Sequence, residues 1–216
     1  MSRTALATAV ADVSARDPML AALVARAGPI KHRPHDPDGR FGALVRSIVF
    51  QQLAGSAARA IHRRVRATVV ALTPGSLAAV SDEALRSAGL STNKLLALRD
   101  LSAKVLDGTV DLDRASRMSD EDLVASLTSV RGIGPWTAEM FLLFELRRLD
   151  VWPVGDLAIR NGYGLAWELE RAPTAKELAP LGDRFRPYRS VLARYCWAAV
   201  HLSRGEADQV QTAPLE

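Results

Sequence analysis

Two stretches of this chain carry residue types whose spacing could do chemistry. The first is Val130-Arg131-Gly132-Ile133-Gly134-Pro135-Trp136-Thr137-Ala138, and the second is Asp150-Val151-Trp152-Pro153-Val154-Gly155-Asp156. In the first, two glycines flank a single apolar residue, and both are free to take positive φ and to let another backbone come close. N–H groups left open at such a turn, and at the start of the helix that follows it, suit a phosphate, because unmet donors and the helix dipole both favour an anion there. The second stretch ends in Asp156, a carboxylate that could stabilise developing positive charge or orient a water. Asp156 reads equally well as a plain N-cap before Leu157. Asp150 is a second carboxylate, read as structural. Trp136, Trp152 and Tyr188 offer π faces that could hold a planar cation, or they are ordinary core aromatics.

The elements that must position these groups are helices. Ser119 reads as an N-cap, followed by an acidic first turn at Asp120, Glu121 and Asp122 and by helical spacing of Leu123, Val124 and Leu127. Pro135 suits a helix start, and Ala138, Phe141, Leu142, Phe144 and Glu145 continue at helical period, so the unit is helix, hairpin, helix. Upstream, Arg40 to Leu53 carries apolar residues on one face and predicts the most buried helix, ending in Gln51, Gln52 and an apolar tip at Leu53. The next helix bears Arg59, His62, Arg63, Arg64 and Arg66, a run that is either a solvated face or a nucleic-acid edge. Further helices are predicted over 4–13, 18–26, 74–80, 82–88, 94–106 and 157–165; Thr174 and Glu177 have capping-box spacing, and Pro187 opens a long final helix. No period-two segment is long enough for a strand, so the expected fold is all-α. Two helical lobes, roughly 1–30 with 150–216 and roughly 40–150, meet near Asp156.

Composition narrows the function classes. The 216 residues are 48% hydrophobic and 24% charged, an ordinary globular balance. No apolar run approaches a membrane span and no leader pattern opens the chain, so the expected location is cytoplasmic and nucleoid-associated, without membrane. A single cysteine, Cys196, sits in an apolar helical pattern and reads as a buried inert thiol; one cysteine excludes an internal disulfide and a four-cysteine iron–sulfur cluster. His32 and His35 lie in a proline-rich loop without a ligand cluster around them. The net charge of +4 is a mild hint of a polyanionic partner.

Taken in chain order, F-G-A-L-V-R-S-I-V-F-Q-Q-L at 41–53, G-L-S-T-N-K at 89–94, V-R-G-I-G-P-W-T-A at 130–138, D-V-W-P-V-G-D-L at 150–157 and F-R-P-Y-R-S-V at 185–191 resemble the helix–hairpin–helix, Gly/Pro…Asp superfamily of DNA base-excision glycosylases. Within it the DNA-3-methyladenine glycosylase II type is most similar. The resemblance implies a single domain of two helical lobes with the active-site cleft between them, acting as a monomer on double-stranded DNA that contains damaged bases. It implies a monofunctional enzyme that flips out alkylated purines, of the 3-methyladenine and 7-methylguanine type, and hydrolyses the N-glycosidic bond. Bifunctional relatives place a lysine nucleophile where Trp136 stands, and an indole forms no Schiff base.

By the same resemblance Asp156 is the catalytic carboxylate, and Trp136, Tyr188, Trp152 and Met140 line the base pocket, Met140 standing where some relatives carry an aromatic. Gln51, Gln52, Arg131, Gly132, Ile133, Gly134 and Thr137 face DNA, and Leu53 matches the wedge that fills the gap left by the flipped base, with a core leucine as the plain alternative. No cofactor is expected beyond Na⁺ or K⁺ at the hairpin backbone of Val130 and Gly132. Two other readings stay open: a non-catalytic helix–hairpin–helix DNA-binding module, and a glycosylase for neutral oxidised or deaminated bases.

Overall fold

The computed structural model describes residues 3–206; the ends of the predicted 1–216 domain lie outside the described residues. Among the described residues there are twelve α-helices and no strand: α1 (Arg3–Arg16), α2 (Pro18–Ala27), α3 (Gly39–Phe50), α4 (Gly55–Arg66), α5 (Pro74–Ala79), α6 (Asp82–Ser87), α7 (Thr92–Leu106), α8 (Asp120–Thr128), α9 (Pro135–Met140), α10 (Leu157–Ala166), α11 (Ala175–Leu181) and α12 (Arg189–Ser203). No helix among them is long and apolar enough to cross a membrane. The helices divide between two compact units, which we call the hairpin unit (Pro34–Leu146) and the carboxylate unit (the described residues up to Arg33 and from Arg147 on).

In the hairpin unit, α3 supplies the centre of the core. Leu44, Val45, Ile48 and Val49 are fully buried, and α3 packs on α4 and α7, whose Leu95, Leu98 and Leu101 close the same core. Sequence patterning carries this helix to Leu53, but it stops at Phe50: Gln51 is extended and Gln52 takes φ 55°, a left-handed turn that breaks the helical ladder. The pair α8 and α9 forms the helix–hairpin–helix. Ser119 caps α8 with its Oγ accepting from the Asp122 N–H (3.1 Å), and Pro135 opens α9 where no N–H is needed. The helical period predicted beyond Met140 relaxes into a π-helical turn over Phe141–Glu145, closed by the Leu146 N–H on the Phe141 carbonyl (3.0 Å). This wider turn turns three consecutive side chains, Phe141, Leu142 and Leu143, into the core.

The carboxylate unit is built on the crossing of α10 and α12, with α1 and α2 packed against α12. The crossing depends on Gly162: a Cβ there would stand 1.8 Å from the Cys196 carbonyl oxygen, so only a residue without a side chain lets the two backbones approach this closely. The final helix starts at Arg189, two residues later than Pro187 predicts; the Arg186–Pro187 peptide is cis, and Tyr188 stands as the residue before the first helical turn. The segment leading to Asp156 is pinned to the start of α12. Ser190 donates its N–H to the Leu149 carbonyl (2.9 Å) and its Oγ–H to the Arg148 carbonyl (2.7 Å), and its Oγ accepts from the Val151 N–H (2.9 Å).

Candidate functional site

The hairpin is a turn between two capped helices, and its glycines are not equivalent. Gly132 takes φ 78°, whereas Gly134 takes φ −94° and serves as the residue before α9. The expectation of positive φ therefore holds at Gly132 alone; Gly134 needs only an extended backbone. Ile133 is buried, and its N–H donates to the Val130 carbonyl (3.1 Å), so it anchors the hairpin to its own unit instead of facing DNA. Arg131 projects an exposed side chain, but its N–H is taken by Asp100 Oδ2 (2.6 Å). Asp100 also holds Lys104 Nζ (2.9 Å), which donates in turn to the Ser129 carbonyl. Burial pushes the Asp100 carboxyl up, the Arg131 N–H and Lys104 pull it down, and the balance leaves it below the ordinary carboxylate value. The N–H groups of Gly132, Gly134 and Thr137 meet no acceptor among the described residues. These three donors, flanking the start of a helix, are placed where an anion could meet them, although the side chain of Thr137 itself is buried.

Gln51 joins the hairpin to the end of α3. Its Nε2 donates to the Gly132 carbonyl (2.9 Å), while Lys94 Nζ closes the helix end on the Val49 carbonyl (2.7 Å). The turn so held presents Gln52 and Leu53 outward. Leu53 is 38% exposed, which removes the core-leucine alternative. The two carbonyls assigned to a monovalent cation are each engaged by a protein donor, Val130 by Ile133 N–H and Gly132 by Gln51 Nε2. Each carbonyl oxygen keeps a second lone pair, and a cation bound there would need further oxygen ligands beside these two.

In the carboxylate unit, Asp156 is only 7% exposed. Its Oδ1 accepts from the Ile159 N–H (2.8 Å), which is the cap that sequence alone explains, and also from the indole Nε1–H of Trp197 (3.3 Å). Two donors from two helices converge on one oxygen, so the carboxylate plane is fixed, and with it the direction of Oδ2. A carboxylate ionised in such surroundings acts on a nearby positive charge with less screening than water would impose. The sequence reading passes over Trp197, because within the apolar run of the last helix its indole looks like any other core residue. The signal that finds it is its place across the Gly162 crossing from the helix that Asp156 caps. Cys196, its neighbour, is buried, and burial with the negative charge of Asp156 drives its thiol pKa up.

The aromatic assignments separate. Trp136 is half-buried in the first turn of α9. Tyr188 is half-buried with the Arg16 guanidinium 6.0 Å from its ring centre. Trp152 departs from the pocket reading: it is 8% exposed, its Nε1 donates to the Leu178 carbonyl (3.2 Å), and Gly182 lies against its ring. Both its polar edge and its face are taken by the protein, so it is a core aromatic. Met140 is 1% exposed, an interior side chain. Asp150 is structural, as its sequence context indicates, with Arg189 Nε (2.8 Å) and Arg186 Nη1 (2.9 Å) on its two oxygens. Among the described residues no cluster of histidine, cysteine and carboxylate side chains could hold a metal ion.

This geometry agrees with what the chain is similar to. Residues 45–186 match the model of the HhH-GPD superfamily base excision DNA repair protein. The DNA-3-methyladenine glycosylase 1 of Schizosaccharomyces pombe is 34% identical over 164 residues, covering 74% of this chain and 72% of that protein. The structure of the 3-methyladenine DNA glycosylase from the same yeast in complex with abasic DNA superposes with a TM-score of 0.76 at 32% identity, over 88% of this chain and 95% of that one. A DNA-3-methyladenine glycosidase from Bacillus halodurans gives a TM-score of 0.82 at 36% identity, with 90% of each chain covered. The chain belongs to the HhH-GPD superfamily of base excision DNA repair proteins.

Proposed function

We propose that this protein is a monofunctional DNA glycosylase that removes alkylated purines from double-stranded DNA. The observation that carries the reading is the buried Asp156 carboxylate held by two donors on one oxygen, in a chain of this family. Alkylation at N3 or N7 gives the base a positive charge, so the N-glycosidic bond breaks with its electron pair going to a base that leaves neutral. The deoxyribose is left with oxocarbenium character at C1′, and Asp156 stabilises it electrostatically. Water then attacks C1′, its proton passing to Asp156 or to solvent. Trp136 supplies a π face for the cationic base and no amine, so the reaction ends at the abasic site without strand cleavage. The hairpin N–H groups grip a backbone phosphate, and Leu53 enters the base stack. No step is assigned to a cation.

The test is release of 3-methyladenine and 7-methylguanine from methylated duplex DNA by the intact protein and by Asp156→Asn, with binding measured for both. Asparagine keeps the cap and removes the charge. Release by the intact protein, with a variant that binds and does not cut, is the expected outcome. Binding without release by either protein makes the chain a DNA-gripping module for these lesions, and release of only neutral damaged bases reassigns the substrate.

A further inference from the structure

We infer that Arg160 is a ligand for a backbone phosphate of the nucleotide whose base is removed. The inference rests on the glycosylase reading of Asp156. Arg160 lies on α10 four residues after Asp156, with its N–H on the Asp156 carbonyl (3.1 Å). Positions four apart share a helix face, and side chains lean back toward the helix N-terminus. The guanidinium is thus carried toward the end of α10 that Asp156 caps.

Its bonding singles it out. Arg147, Arg189 and Arg194 are half-buried arginines of the same unit, and each holds a backbone carbonyl or the Asp150 carboxylate. No side-chain donor of Arg160 meets an acceptor among the described residues; its Nε is enclosed, as that of Arg147 is, but Arg147 still holds a carbonyl through Nη2. The two Nη groups of Arg160 are not enclosed in this way, so they are the donors to which a ligand can bring an acceptor. The guanidinium fork matches the oxygens of a phosphate, which accept two parallel hydrogen bonds. Placement agrees with this choice. Asp156 serves C1′, and a guanidinium leaning back from the next turn of the same helix face lies on the side where the phosphates of that nucleotide would run. One group then meets the developing cation of the sugar while the other holds the anion attached to it.

The experiment uses the full chain and a duplex carrying a tetrahydrofuran abasic analogue, titrated over a salt series, beside duplexes in which a methylphosphonate replaces either flanking linkage. Arg160→Gln should weaken binding to the abasic-analogue duplex about tenfold and lessen the slope of log K against log salt by about one. The same substitution should cost nothing further on one of the methylphosphonate duplexes, and Arg160→Lys should restore the slope. Equal affinity and slope for Arg160→Gln and the intact protein overturn the inference. So does an equal loss on every duplex, undamaged DNA included. Base release by the intact protein separates this failure from failure of the underlying reading: release with an unchanged slope removes Arg160 alone, and no release from methylated DNA removes both.

Discussion

The indole N–H of Trp197 points at the same Asp156 oxygen that accepts from the Ile159 N–H, at 3.3 and 2.8 Å. The cap alone would fix where the carboxylate sits; the second donor, from the neighbouring helix, fixes how it is turned. Trp197→Phe keeps most of the ring volume and removes the donor. Loss of one hydrogen bond to a charged acceptor is worth about 1.5–3 kcal/mol, so single-turnover base release should fall roughly tenfold or more while affinity for an abasic-analogue duplex stays within about twofold. A parallel loss of rate and affinity would show that the indole serves the fold and not the orientation of Asp156.

The α10–α12 crossing brings those two residues together, and it tolerates no Cβ at Gly162. Because the obstruction is the Cys196 backbone at 1.8 Å, no rotamer change relieves it. Gly162→Ala should therefore force the helices apart, at a cost of about 3 kcal/mol, and lower activity further through the displaced Asp156. Gly155→Ala is the control, since a Cβ there meets nothing within 4 Å. Thermal melts of both variants check this; equal melting temperatures would mean the crossing is looser than its geometry.

Much of this is legible in the sequence alone. Ser119, Pro135 and Asp156 announce helix starts because capping is local chemistry, read within three or four residues. The all-helical class follows from periodicity, which is also local. What sequence misses depends on contacts between elements far apart in the chain. Trp197 and Asp156 are 41 residues apart, and only the crossing at Gly162 makes them partners. Trp152 and Ile133 have the composition of binding residues, yet a carbonyl 26 residues away and a hairpin turn claim their polar groups first. The end of α3 is a local event that patterning hides, because Gln52 adopts left-handed φ within a stretch whose apolar residues keep helical spacing.

The Asp150 pair gives a pH dependence with a definite sign. Burial raises the carboxyl, but the hydrogen bonds from Arg189 and the charges of Arg189 and Arg186 outweigh it, so the folded pKa lies below the ordinary value. A depressed carboxylate contributes stability that is fully present above its unfolded pKa, near 3.9, and is lost as pH falls through the folded value. Asp150→Asn should thus be destabilised relative to the intact protein at neutral pH, and the difference should begin to narrow below about pH 4 and close once pH passes below the folded value. Urea melts at neutral and acid pH measure it; a gap that persists unchanged in acid would show that the ion pair is not its source.

Cys196 should behave as an inert thiol. It is buried, and both burial and the Asp156 charge disfavour its thiolate. A thiol-reactive dye at neutral pH should leave the native protein unlabelled and label it fully in denaturant. Rapid labelling of the folded protein would mean that the α10–α12 crossing opens often, and Asp156 would then spend part of its time without the Trp197 donor.

Leu53 offers the cleanest separation of function from stability. It is an exposed aliphatic side chain on a turn whose backbone is fixed by Gln51 on the Gly132 carbonyl and by Lys94 on the end of α3. Leu53→Ala removes apolar surface that water already reaches, so stability should change by no more than about 0.5 kcal/mol. Its effect should appear only on a stacked duplex. A side chain that fills the space vacated by an extruded nucleotide offsets part of the unstacking cost, which is a few kcal/mol in paired DNA and least for a base that is already unpaired. Base release from methylated duplex should therefore fall about tenfold or more in Leu53→Ala, while release from a site opposite a gap or mismatch falls much less. Gln51→Leu, which frees the turn from the hairpin, should lower both. If Leu53→Ala reduces release equally on paired and mismatched sites, the side chain contributes contact area alone, and the extrusion must be driven from elsewhere in the hairpin unit.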